Sequence, residues 1–184
     1  MLESILKNIL AGLYTQIGAA LLVSILFMIV WKTAKESSWK QILKDWINGF
    51  RTNKKFRQDF FLILFAAMIL FRTILCRSVW STSNPLKHVI GIWGLEDEKG
   101  NLYIDGILNC ILFIPFTMLL MNRSEKASIL KAGWYSFLFS LGIETMQLLL
   151  KCGEFQLSDI FYNTLGGLIG GILYWGYSKV WKNE

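Results

Sequence analysis

Four or five stretches of this chain are long, apolar and nearly free of proline. Each approaches the roughly 20 residues a helix needs to cross the hydrocarbon core of a bilayer. Hydrophobic residues make up 54% of the 184-residue sequence, and it holds only two prolines. That pattern outweighs the ordinary reading of one soluble domain of this length. It predicts an all-α, polytopic membrane helical bundle of about five transmembrane helices with a cytoplasmic amphipathic helix. The start, MLESILKNIL, lacks the basic segment and small-residue cleavage site of a signal peptide.

The expected crossings are 9–31, 60–80, 105–121, 132–150 and the helix that opens at residue 157 and ends near Ser178. Between the first two lies a basic segment, 32–59, in which Trp39, Ile42, Leu43, Trp46, Ile47 and Phe50 recur at helical spacing opposite lysines. Such a helix lies on a membrane surface; docking onto another protein is the alternative. We divide the chain at this point, into an anchor helix with its basic loop (1–59) and a helical domain (60–184). In the connection 81–104, Asn84-Pro85 is suited to start a short interfacial helix presenting Leu86, Val89, Ile90 and Trp93, and Glu96 to Glu98 make the remainder acidic.

The formal net charge is +6. The excess sits mainly in the 32–59 segment, where retention at an anionic leaflet explains it more simply than nucleic acid, and no nucleic-acid partner is expected. Thirteen lysines and arginines fall on alternate connections and the C-terminal tail, against four on the other side. The asymmetry predicts an outside N-terminus and a cytoplasmic C-terminus.

With that topology the polar residues inside the spans gather at one level. Arg72 and Arg77 lie in the outer half of the second helix. Asp105 and Asn109 open the third, Glu144 and Gln147 lie near the outer end of the fourth, and Asp159 and Asn163 open the fifth. Two helices thus begin with Asp-x-x-x-Asn, which sets carboxylate and amide about 6 Å apart along one face, the acid beside its own helix N-terminus. Charges inside a membrane are costly and tend to mark sites. A salt-bridge network stapling four helices and a polar cavity open to the outer leaflet both satisfy the pattern. Gly133, Ser136, Ser140, Glu144 and Gln147 form a small-to-polar stripe on the fourth helix. Gly166–Gly170 and Gly167–Gly171 are GxxxG pairs, suited to close packing or to an oligomer through the Gly166/Gly170 face. His88 is the only histidine and has no evident ligand partners. Cys76, Cys110 and Cys152 read as free thiols rather than a disulfide framework. The sequence assigns no metal and no cofactor.

The segments NCILFIPFTMLL (109–120), IETMQ (143–147) and DIFYNTLGG (159–167) resemble the VanZ-like family, membrane proteins associated with teicoplanin resistance. In family form these are an Asn with an apolar run and Phe-x-Pro-Phe-Gly, a Glu-x-x-Gln and an Asp-x-x-x-Asn-x-x-Gly; here Thr117 stands where the family usually has glycine. The resemblance covers about 70–178 and leaves the first helix and basic loop outside. It implies a role at the bacterial envelope and reduced susceptibility to teicoplanin-type lipoglycopeptides. It carries Asn109, Glu144, Gln147, Asp159 and Asn163 over as active residues. Three functions compete. The leading one is an outer-leaflet pocket, made by these residues with Arg72, Arg77 and Asp105, for a membrane lipid, a lipid-linked cell-wall precursor or the lipoglycopeptide itself. The second is an enzyme modifying an envelope lipid, with Glu144 and Asp159 as acid and base. The third is a small transporter.

Overall fold

The structure, a computed structural model, describes residues 2–33, 38–94, 104–124 and 127–181. Six α-helices carry the fold: α1 (Leu2–Met28), α2 (Trp39–Thr52), α3 (Lys54–Leu70), α4 (Ile104–Arg123), α5 (Ile129–Leu150) and α6 (Leu157–Trp181). Among the described residues there is no strand. π-helical turns extend α1 over Ile29–Thr33 and α3 over Phe71–Leu75. Two helices are long and apolar enough to cross a membrane: α3 with its π turn, Lys54–Leu75, and α4; Gln16–Trp31 is a shorter apolar helix.

Local chemistry sets the ends. Asn53 accepts from the backbone N–H groups of Lys55 and Phe56, so α3 starts earlier than the expected residue 60. Its helical geometry stops at Leu75, and 76–80 form a turn rather than the end of a span. Ser128 caps α5 through Lys131 N–H. At the other end Lys151 takes a left-handed conformation (φ 49°) that closes the helix, with Cys152 N–H reaching back to Gln147 C=O. α4 runs unbroken through Pro115.

α2 is amphipathic, as its spacing predicts. Ile42 is buried, and Trp46 and Phe50 pack in an aromatic cluster with Phe56 and Phe60. Leu43 and Ile47 stay exposed beside Lys40, Lys44 and Arg51. α1 lays its Ala20–Ser24–Met28 row against α3, and Ala67, Met68, Ile69, Leu112, Phe113, Phe116 and Ile143 join α3, α4 and α5.

α6 is gripped from two sides. Gly166 and Gly170 lie against the α4 backbone, at the carbonyls of Cys110 and Ile114; Gly167 and Gly171 lie against Ser136 and Ala132 of α5. The two GxxxG pairs are one residue out of step, about 100° apart around the helix, so each serves a different neighbour. Gly166 and Gly170, whose pair suits close packing or an oligomer, pack here against α4.

Around α5 and α6 the buried faces carry polar side chains while the outer surfaces are apolar. On α5, Ser136, Ser140, Glu144 and Gln147 are buried, whereas Trp134, Leu138, Met146 and Leu149 are exposed. On α6, Asn163 is buried, whereas Phe161, Ile172, Leu173 and Trp175 are exposed. This is the reverse of the arrangement water imposes on a surface helix.

Between α3 and α4 the described chain, to Gly94, differs from expectation. Residues 85–90 form successive turns, not an interfacial helix. Their carbonyls are claimed from elsewhere: Phe155, Leu157 and Ser158 N–H bond to Pro85, Val89 and Ile90 C=O, and Gly91 turns the chain with φ 74°. The acidic run Glu96 to Glu98 lies outside the described residues.

Candidate functional site

One end of the bundle, where α3 and α5 finish and α4 and α6 begin, holds a cleft of about 420 Å³. Both arginines reach it from the end of α3: Arg72 lies in the π turn and Arg77 in the turn that follows. Here Cys76 N–H bonds to Phe71 C=O at 3.0 Å, a five-residue step that widens the turn, and Arg72 and Arg77 both line the cleft.

Asp105, from the first turn of α4, pairs with Arg72 at 2.5 Å. Asn109, one turn further, is buried and also lines the wall. Asp159, from the first turn of α6, completes the lining drawn from helices. The α5–α6 turn adds Glu154 and Gln156, and the 80–94 connection adds Thr82 and Ile92. His88 meets Glu154 at 2.8 Å on the rim, so this histidine does have an acidic partner.

The other three expected residues stand behind this lining. Gln147 Nε2 donates to Thr73 C=O at 3.0 Å, tying α5 to the π turn. Asn163 Nδ2 donates to Ser140 Oγ at 2.7 Å, and one turn deeper Thr117 and Ser136 share a hydrogen bond at 3.0 Å. Thr117 thus gives this fold a buried hydroxyl at the position where glycine is usual. Glu144, 1% exposed, accepts the Gln156 backbone N–H at 2.9 Å. Its carboxylate lies within electrostatic reach of Asp159 and Arg77. The structure therefore brings Arg72, Arg77, Asp105, Asn109 and Asp159 to the cleft surface, and places Glu144, Gln147 and Asn163 in the packed wall.

Two connections roof the cleft. Trp80 and Thr82 N–H bond to the carbonyls of Leu150 and Lys151 at 2.9 Å, and Lys151 Nζ lies 5.5 Å from the Trp80 ring. Further along, the Tyr162 hydroxyl both accepts from Gly94 N–H and donates to Gly94 C=O, at 2.8 Å each. Glu154, Gln156, Thr82 and Ile92 carry no periodic signal in the sequence, because long-range backbone pairing brings them in. The one available cue was that the 151–158 turn joins the two motif-bearing helices. The three thiols are free; Cys76 is exposed, Cys110 half-buried and Cys152 buried.

The surface lining carries two guanidinium groups and three carboxylates, with Glu144 just behind. Arg72 is engaged by Asp105. Arg77 is exposed, and its Nη1 sits beside Gly153, where a side chain would collide with it. The arrangement offers one accessible cation, amide and hydroxyl donors, and acids that could hold an ammonium group.

An all-helical fold with polar seams, apolar outer surfaces and a charged cleft at one end, two of its helices able to cross a bilayer, defines the class of protein. The chain belongs to the VanZ/LLP1 family, whose pattern matches residues 19–181. That match takes in α1 from residue 19 onward and all of α2, so the family relationship reaches beyond the 70–178 expected from the motifs. The chain is also similar to Protein VanZ of Enterococcus faecium, 33% identical over 76 residues, which are 41% of this chain and 47% of that protein. The similarity thus spans about half the length of that relative. No solved structure matches.

Proposed function

We propose that this protein spans the bacterial cell membrane five times, through α1 and α3 to α6, with the cleft facing outward. There it binds the polar head of a lipid-linked or lipid-anchored ligand and so lowers susceptibility to teicoplanin-type lipoglycopeptides. The supporting observation is the convergence of Arg72, Arg77, Asp105, Asn109 and Asp159 on one cleft, ringed by exposed Leu75, Trp80, Leu86, Ile90, Trp93 and Leu149. Trp and apolar side chains around a charged mouth suit the headgroup level of a bilayer. The basic end, with α2, then faces the cytoplasm.

Arg77 receives the phosphate or carboxylate of the head, and Arg72 joins it when Asp105 gives way. A cleft of about 420 Å³ suits a head group or one terminus of a large ligand rather than a whole glycopeptide. The family relationship supports the resistance role, since the similar enterococcal protein carries the VanZ name. The test is teicoplanin susceptibility of cells carrying wild type, Arg77→Ala or Arg72→Ala at matched membrane levels. Protection should be lost in both variants; full protection by both would refute the cleft as the site.

A second reading, an enzyme using Glu144 and Asp159, is favoured by a buried carboxylate next to a cleft. Glu144→Gln separates the two. Under the binding reading the amide, still an acceptor for Gln156 N–H, keeps protection; under the enzymatic reading protection and any change in envelope lipid vanish together.

A further inference from the structure

On the far side of the ridge that bounds the cleft lies an apolar groove of about 250 Å³ between the end of α3 and α5. Its floor includes Ile74 and Ile143, and along α5 its edge is the row Leu138–Gly142–Met146. These three are four residues apart and share a face, so the groove runs along about 12 Å of helix. It exists because the middle position has no side chain: a Cβ at Gly142 would meet nothing within 4 Å. Leu138 and Met146 are exposed, 44% and 43%.

Neighbouring residues divide between the groove and the cleft: Thr73 lines the cleft and Ile74 the groove, while Gln147 bonds to Thr73 and its neighbour Met146 lines the groove. The Gln147–Thr73 hydrogen bond thus lies on the ridge between them, and Leu75 and Leu149, two residues further along each chain, are exposed. A polar head beside Arg77 and a tail lying along Leu138–Met146 would thus belong to one molecule folded over that ridge.

Resting on the binding function proposed above, we infer that the α3–α5 groove is the tail subsite of the same ligand: it takes one linear hydrocarbon chain of an amphiphile whose anionic head occupies the cleft. Acyl and prenyl chains share this chemistry. An ordinary annular lipid would fill the groove without regard to Arg77, whereas a tail subsite depends on it.

The experiment is photo-crosslinking of full-length protein in nanodiscs with two probes, dodecyl phosphate and farnesyl phosphate, each with a diazirine at the tail end. The label is mapped by mass spectrometry, and probe retention is measured separately. For at least one probe the label should concentrate on 70–74 and 138–146. Arg77→Ala should lower it about tenfold, the loss expected when a charge-assisted contact is removed. Gly142→Leu should divert the label from the groove while retention through the head persists; Gly142→Ala, too small to fill the space, should keep it. Which probe labels tells acyl from prenyl. Label in the groove that ignores Arg77→Ala, or label spread over the exposed faces of α1 and α6, would overturn the tail subsite. Arg77-dependent retention without groove label would overturn it while sparing the head site. Failure of both probes to be retained by wild type would remove both.

Discussion

The two ends of the α3–α4 pair are each closed by an arginine and an aspartate, but the roles are exchanged. At the cleft end the pair is Arg72–Asp105, with the arginine 14% and the aspartate 72% exposed. At the basic end it is Arg123–Asp59 at 3.0 Å, with the aspartate 5% and the arginine 35% exposed. A buried carboxylate depends on its partner, because losing that partner leaves a desolvated charge. An exposed carboxylate is hydrated with or without one, and its pair contributes little. The basic end is therefore a fixed clasp. The cleft end is a clasp whose acid is hydrated already, so losing it costs little.

Four substitutions probe that contrast, in falling order of effect on stability. Arg123→Ala should cost about 2–3 kcal/mol and lower the unfolding temperature in detergent, because it takes an ion-pair partner from a buried carboxylate that keeps a further interaction. Gly166→Ala pushes a methyl into the Cys110 carbonyl and should cost about 1–3 kcal/mol in the same assay, because the seam between the two clasps has no slack. Asp105→Asn should cost no more than about 1 kcal/mol and increase retention of an alkyl phosphate by freeing Arg72. Equal destabilisation by Asp105→Asn and Arg123→Ala would break the comparison. Arg77→Ala should change stability by less than about 0.5 kcal/mol, because the exposed guanidinium acts on Glu144 only at a distance, yet abolish protection against teicoplanin.

Much of this was legible in the sequence, and the gaps have physical causes. The helical spacing of Trp39 to Phe50 gave α2, and the stripe Ser136, Ser140, Glu144, Gln147 gave the buried face of α5. The level shared by four helices located the cleft. Depth alone could not say which residues surface in it: Glu144 and Asn163 turn into helix seams, where Gln156 N–H and Ser140 Oγ engage them. The π turn that ends α3 beside the cleft has no composition signature in FRTIL. The roof over 80–94 depends on backbone bonds to a turn some 70 residues away, which outweigh the local preference of Asn84-Pro85 for a helix. The polar seams themselves lower the apolar character of α5 and α6, and among the described residues α3 and α4 stand out as spans by length and composition.

The proposed function requires the cleft to face outward, and Cys76, exposed at the cleft end, reports its side of the membrane directly. With Cys110 and Cys152 replaced by serine, a membrane-impermeant maleimide added to intact cells should label Cys76. A Ser124→Cys reporter at the basic end, in a cysteine-free background, should react only after permeabilisation. Labelling of the Ser124→Cys reporter in intact cells, with Cys76 protected until the membrane is opened, would contradict an outward-facing site.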